Sequence, residues 1–154
     1  MPDIALRVID QHNWRDAIVL EVAEDQQGFV TSNLFSVAQA AYDPNLFAVA
    51  VYDRTRAQMV GFILYGFLEF GDYQMWYIAR FMIDHHQQGK GYGRSALSAI
   101  IRRLRNRHGA DGIMITVVPE NHRAKQFYTG MGFTDEDTQW DNEDVMILRF
   151  ESKK

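Results

Sequence analysis

Three glycines fall within five residues in the run Gln87-Gln88-Gly89-Lys90-Gly91-Tyr92-Gly93, and these residue types point to a bound ligand. Glycine lets a backbone turn sharply and approach another molecule closely. A helix starting there offers unpaired N–H groups and a partial positive charge, which suit a phosphate. Lys90 and Arg94 add cationic side chains. The inference is a pyrophosphate-bearing ligand over the turn. The same glycines also suit a strand-to-helix turn that binds nothing, and spacing alone does not separate the two. A P-loop is excluded, because Lys90-Gly91 does not fit G-x-x-x-x-G-K-[ST]. Gly91-x-Gly93-x-x-Ala96 does fit the dinucleotide fingerprint, but no acidic residue closes the next strand at the right distance. Asp111 precedes that strand and Glu120 lies too far beyond it. Roughly 60 residues follow the turn, too few to finish a six-stranded dinucleotide fold.

Periodicity supplies the elements that would hold this turn. Residues 76–83 are aromatic, apolar and β-branched and predict a buried strand. Ala96, Leu97, Ile100, Ile101 and Leu104, spaced by threes and fours, predict a long helix behind it. Its other face carries Arg94, Arg102, Arg103, Arg105 and Arg107, and His108-Gly109 stops it. Upstream, residues 4–8 alternate as a first strand. Asn13 is expected to cap a helix with Trp14, Ala17, Ile18 and Val22 on one face, broken by Gln26-Gln27-Gly28. Thr31 or Ser32 then caps a second helix carrying Leu34, Phe35, Ala38 and Ala41, stopped before Pro44. Residues 46–52 and 59–67 read as strands around a polar turn, and Gly71-Asp72 leads into the strand at 76–83. Downstream, residues 113–118 form a strand ended by Pro119, and Asn121 caps a short helix through Gly130. Residues 133–139 and 145–150 close the chain as a strand pair, with the acidic stretch 136–144 around Trp140 read as the loop between them.

At 154 residues, with 47% hydrophobic and 23% charged side chains, the chain fits one globular domain. No apolar run approaches a membrane span, and the first ten residues have no secretory pattern. The absence of cysteine excludes disulfides, a thiolate zinc site and a cysteine nucleophile. A net charge of −4 argues against nucleic acid and permits a cationic substrate. The arginine face reads as one solvated helix side without interleaved aromatics. His85 and His86 are adjacent with no third ligand at metal spacing, so no metal is expected. A cytoplasmic protein is the expected setting.

The order of these features resembles the GNAT superfamily of N-acetyltransferases. Gln88-x-x-Gly91-x-Gly93 is similar to its Q/R-x-x-G-x-G/A acetyl-CoA motif. A strand ahead, a long helix behind, then strand, Asn121, helix, Tyr128 and Gly132-Phe133 extend the likeness over essentially the whole chain. Phe29-Val30-x-Ser32-Asn33 and Arg80-Phe81-Met82-Ile83-Asp84 resemble the diamine and polyamine branch. The resemblance implies an α/β fold of order β-α-α-β-β-β-α-β-α-β-β. It would have a mixed, mostly antiparallel sheet of about seven strands with about four helices, splayed between the fourth and fifth strands. It implies direct acetyl transfer from acetyl-CoA to a primary amine, polyamine or diamine first, with no covalent enzyme intermediate. Other acceptors (a protein N-terminus, an amino acid, an aminoglycoside) and a non-catalytic CoA-binding module stay open.

The resemblance also implies roles. Gln88, Gly89, Lys90, Gly91, Tyr92, Gly93 and Arg94 would hold the diphosphate, with Asn121, Lys125 and Tyr128 as further CoA contacts. The pantetheine arm would lie along Phe81, Met82 and Ile83, with a backbone N–H near Met82 as oxyanion donor. Tyr128 holds the place of the family's catalytic tyrosine. A phenol near pKa 10 can protonate a departing thiolate whose thiol lies near about 8.5 in a nearly balanced transfer. The general base is open. Some polyamine acetyltransferases carry a glutamate where this chain has Ala79, and Glu69, Glu120 or a water chain would have to substitute. Glu21, Glu24 and Asp25, together with Glu69 and Asp72, are acidic clusters that would suit a polyamine, although each also reads as ordinary surface. Phe29, Asn33 and Tyr73 are candidates to line the acceptor pocket. The family often dimerises, so a homodimer is expected.

Overall fold

A computed structural model describes residues 1–29 and 31–151, without the side chains of Phe29 and Phe70. In chain order the elements are β1 (Ile4–Val8), α1 (Trp14–Ile18), a 3-10 turn (Glu24–Phe29), α2 (Asn33–Tyr42), β2 (Leu46–Asp53), β3 (Gln58–Phe70) and β4 (Tyr73–Ile83). A 3-10 turn (His85–Gln87), α3 (Tyr92–Arg107), β5 (Gly112–Val117), α4 (His122–Gly130), β6 (Thr134–Trp140) and β7 (Glu143–Arg149) follow. Seven strands form one sheet in the order β1-β2-β3-β4-β5-β7-β6. Every neighbouring pair is antiparallel except β4 with β5.

That parallel pair is where the sheet opens. β4 and β5 are in register only through Trp76–Ile113, Tyr77–Met114 and Ile78–Ile115. Beyond Ile78, β4 runs on to Ile83 beside β3, while β5 runs on to Val117 beside β7. The cause is local. Tyr65 opposes Ile78 and Leu64 opposes Arg80, so Ala79 is an extra residue in β4. Such a bulge bends its strand and increases its twist. The two strands diverge and leave a wedge through the sheet.

Each sheet face has its own cover. On one face Ile63, Ile78, Ile113 and Ile115 meet Leu97, Ile100 and Leu104 of α3 and Tyr128 of α4. Leu97, Ile100 and Leu104 are wholly buried, so the expected apolar stripe of α3 is the packed one; trimming one of them to alanine would cost about 2–5 kcal/mol. On the other face Phe62, Leu64 and Met82 pack against Ala17 of α1 and the buried side of α2.

The first two helices depart from expectation. α1 ends at Ile18, leaving Val22 outside it, and Asn13 makes no side-chain cap to its N–H groups. Asn13 instead accepts from Asp10 N–H and donates to the Val8 carbonyl. In α2, Ser32 does cap, accepting from Phe35 N–H at 3.3 Å, but the buried side is Asn33 and Ser36, not Leu34 and Phe35. Leu34 and Phe35 are more than half exposed. Small polar residues let the helix approach the sheet, and Asn33 is satisfied there by the Ala17 carbonyl at 2.9 Å. The acidic stretch 136–144 is also a correction. It is mostly strand, with only Asp141 and Asn142 in a tight turn at φ of 52° and 63°.

Candidate functional site

The wedge forms one cleft of about 780 Å³. Its wall on the α3–α4 side is largely backbone. Gly91, the N-cap of α3, has φ 87° and no side-chain cap. A non-glycine residue would be strained there, and a Cβ would meet Pro2 at 3.3 Å. At Gly93 an added Cβ would sit 3.7 Å from Phe127 and 3.9 Å from Ile83, filling the floor of the cleft. The first-turn N–H groups of a 16-residue helix thus face a concavity lined by Gln88, Gly89, Gly91, Gly93 and Arg94, an arrangement fit for a diphosphate. Gln88 is fixed by donating to Gln26 Oε1 at 2.9 Å and to the Ile83 carbonyl at 3.0 Å.

Two residues of the loop point elsewhere. Tyr92 is buried, and its hydroxyl donates to Asp53 at the end of β2. That bond and the Arg56 and Thr55 N–H groups hold the Asp53 carboxyl below its usual range, and the same bond raises the Tyr92 phenol. Lys90 is exposed and donates to Gln87 Oε1 at 3.2 Å, an oxygen that also accepts from Arg56. The side chain of Tyr92 therefore anchors the loop from behind, and only its backbone faces the cleft.

Along β4 the ladder decides which amides are free. Asp84 N–H donates to the Val60 carbonyl at 2.8 Å. Alternation along an antiparallel ladder then turns the N–H groups of Met82 and Arg80 toward β3 as well. Those of Phe81 and Ile83 face the open edge, as the bond from Gln88 to the Ile83 carbonyl requires. The expected N–H of Met82 is spent in the sheet, and its neighbour Phe81 presents one to the cleft.

Tyr128 is the buried residue of α4, 8% exposed, and lines the same cleft. Its ring lies 5.4 Å from that of Phe127 and 5.7 Å from that of Phe133. Burial pushes its phenol well above the ordinary value, so it carries its proton at working pH. Asn121 accepts from Ala124 N–H at 3.2 Å, capping α4 from the cleft wall. Lys125 does not face the cleft. It pairs with Asp144 of β7, which raises the lysine and lowers the aspartate. Arg123, which periodicity did not single out, does line the cleft.

On the other sheet face the lining is side chain rather than backbone. Gln39 and Asp43 from α2, Tyr77 and Arg80 from β4, Thr116 from β5, and Asp141 and Glu143 from the β6–β7 hairpin meet there. Among the described residues, Gln39 Oε1 and Arg80 Nε are buried without a hydrogen-bond partner. The residues expected to bind an acceptor are mostly elsewhere. Glu21, Glu24 and Asp25 are exposed beside the cleft, where Val22 and Gln26 take the wall positions. Glu69 and Glu120 are exposed and do not line the cleft, Glu120 lying next to the lining Asn121 and Glu69 opposite Gln74 near the β3–β4 hairpin tip. Asn33 is a packing residue, and the Phe29 side chain lies outside the described residues. Among the described residues no cluster of three metal-ligating side chains forms, and no helix is long and apolar enough to cross a membrane.

Known proteins resemble this chain in sequence or in fold. The probable spermine N(1)-acetyltransferase of Bacillus subtilis subsp. natto (strain BEST195) is 27% identical over 150 residues, 94% of this chain and 97% of the relative. The fold is that of the spermidine N-acetyltransferase of Vibrio cholerae in complex with CoA and spermine, with a TM-score of 0.71, 17% identity and 95% of each chain covered. The PaiA N-acetyltransferase of Thermoplasma acidophilum in complex with coenzyme A is similar at a TM-score of 0.69 and 13% identity, covering 96% of this chain and 99% of that one. The acetyltransferase (GNAT) family model matches residues 9–133. With a splayed sheet, a glycine-bound helix start and a tyrosine at the splay, the chain belongs to the acetyltransferase (GNAT) family and is an acyltransferase that draws on acetyl-CoA.

Proposed function

We propose that the enzyme transfers acetyl directly from acetyl-CoA to a primary amine of a polyamine or diamine, with both substrates bound at once. The observation that carries this reading is the single cleft through the sheet, with backbone donors on one face and carboxylates on the other. The diphosphate sits on the amides of Gln88 to Gly93, and Phe81 and Ile83 pair with the pantetheine arm as an added strand would. The Phe81 N–H, rather than that of Met82, meets the developing oxyanion. Tyr128 then protonates the departing thiolate. Its raised pKa does not defeat this, because a thiolate in the same dry site is destabilised too. Asp43, Asp141 and Glu143 give a flexible polycation several anionic partners. Support for a polyamine comes from the near full-length match to a spermine acetyltransferase.

Arg80 favours a second reading. A cation in the acceptor half, with Nε unpartnered, suits an amine that also carries a carboxylate, such as an amino acid. Free-thiol release from acetyl-CoA separates the two across spermidine, spermine, putrescine, amino acids, aminoglycosides and N-terminal peptides. Saturable turnover confined to the polyamines supports the first reading. Turnover confined to the carboxylate-bearing amines replaces it with the second.

A further inference from the structure

The reaction needs a proton acceptor, and β4 lacks one, since Ala79 stands at the bulge. An ammonium must lose a proton before its nitrogen can attack a thioester. A carboxylate for this step has to come from another element that faces the acceptor half of the cleft. Asp43 lies at the end of α2 as its exposed C-cap, and Asp141 is exposed in the β6–β7 turn. Glu143 is different. It begins β7, is partly buried, and is held by Thr116 Oγ1 donating to its Oε1 at 3.4 Å. Thr116 lies on β5, past the last residue that β5 pairs with β4. Glu143 therefore reaches the wedge from the β5–β7 side, facing Arg80 on the β4 side.

We propose that Glu143 is the catalytic base, supplying from β7 the carboxylate that β4 does not carry. This rests on the reading of the cleft as an amine acetyltransferase site. The acceptor ammonium gives one proton to the Glu143 carboxylate, directly or through one water. The freed nitrogen lone pair forms the new C–N bond at the acetyl carbon. As the C–S bond breaks, the thiolate takes a proton from Tyr128. The second nitrogen proton, lost as the amide forms, returns to Tyr128, and Glu143 releases its own to solvent. Amine, ammonium proton and thiol balance, with one proton released per turnover.

The surroundings of Glu143 suit this work. Burial raises its carboxyl above the usual range, and the Thr116 hydrogen bond and the Arg80 charge draw it partly back. A weaker carboxylic acid is a stronger base, better matched to an amine. The charged and titratable groups facing it across the cleft are Arg80 and Tyr77 of β4, Asp43 at the end of α2, Asp141 of the turn and Arg123 of α4. Among these, Arg80 and Asp141 act on it directly and in opposite directions.

The test is the pH profile of kcat/KM for the best amine of the panel, in wild type, Glu143→Gln and Thr116→Val, with acetyl-CoA binding measured in parallel. The expected result for Glu143→Gln is a loss of roughly 10²-fold or more at neutral pH. That loss should shrink as pH rises and the amine deprotonates by itself, while the Kd for acetyl-CoA holds. Thr116→Val should move the acid limb of the profile upward, because a donor to the charged carboxylate is gone. A Glu143→Gln profile within about twofold of wild type, or a loss equal at every pH, overturns the proposal. So does an acid limb that stays in place in both variants. A wild-type enzyme that turns over no amine instead overturns the reading of the cleft itself.

Discussion

The two halves of the cleft are built from different materials. The α3–α4 half is largely main chain: the amides of the glycine loop, the open edge of β4 and the start of a long helix. The acceptor half is made of side chains from α2, β4, β5 and the β6–β7 hairpin. A backbone wall suits a partner that never changes, because amides and glycines are fixed by the fold. A side-chain wall can be re-lined while the sheet stays the same, so the proposed function puts substrate choice on that face.

Substitutions in either half test this contrast. Tyr128→Phe, at the junction of the halves, should lower kcat by roughly 10²-fold or more and leave acetyl-CoA affinity unchanged, as stopped-flow or calorimetric binding would show. Unchanged turnover would remove Tyr128 from the proton path. Gly91→Val attacks the backbone half alone. A φ of 87° with Pro2 at 3.3 Å from the new Cβ carries strain of about 1–3 kcal/mol. Acetyl-CoA should bind about tenfold more weakly, with the preference order among amines unaltered. A reordered amine panel would mean that the halves are not independent.

Tyr92→Phe tests the anchor behind the loop. Loss of its bond to Asp53 should destabilise the fold by about 1 kcal/mol at neutral pH. The Asp53 carboxyl has a lowered folded-state pKa, so its stabilisation is present at neutral pH and is lost as pH falls through that lowered value. The gap between the thermal midpoints of wild type and variant should therefore be widest near neutrality and close in acid. A gap that widens in acid would contradict the assignment. Lys125→Met should do least. Its partner is Asp144 rather than the cleft, and acetyl-CoA affinity should stay within about threefold.

The same contrast explains what could be read from the sequence. The backbone half announces itself through three glycines, a strand ahead and an apolar stripe behind, because main-chain sites need local sequence. The strand succession was legible in the periodicity, whereas the splay was implied only by the resemblance to the GNAT superfamily. The acceptor half left no such trace. Gln39, Arg80, Thr116 and Glu143 are far apart in the chain and meet only because Ala79 bulges and β5 turns away. The acidic clusters at Glu21, Glu24, Asp25 and Glu69 drew notice by adjacency in sequence, yet the cleft is lined by other carboxylates. α2 misled by composition: its conspicuous Leu34 and Phe35 face outward, while the small polar Asn33 and Ser36 are buried beside Val37 and Ala40, which pack on the sheet. Which amide of β4 is free depends on ladder phase, and periodicity of side chains is silent on that.

Under the proposed function, one cleft holds both substrates together and acetyl passes between them without a stop on the protein. Initial rates measured with acetyl-CoA and spermidine varied against each other test it most directly. Double-reciprocal lines should intersect, the signature of a ternary complex. Parallel lines, with acetylated protein trapped in the absence of amine, would contradict it.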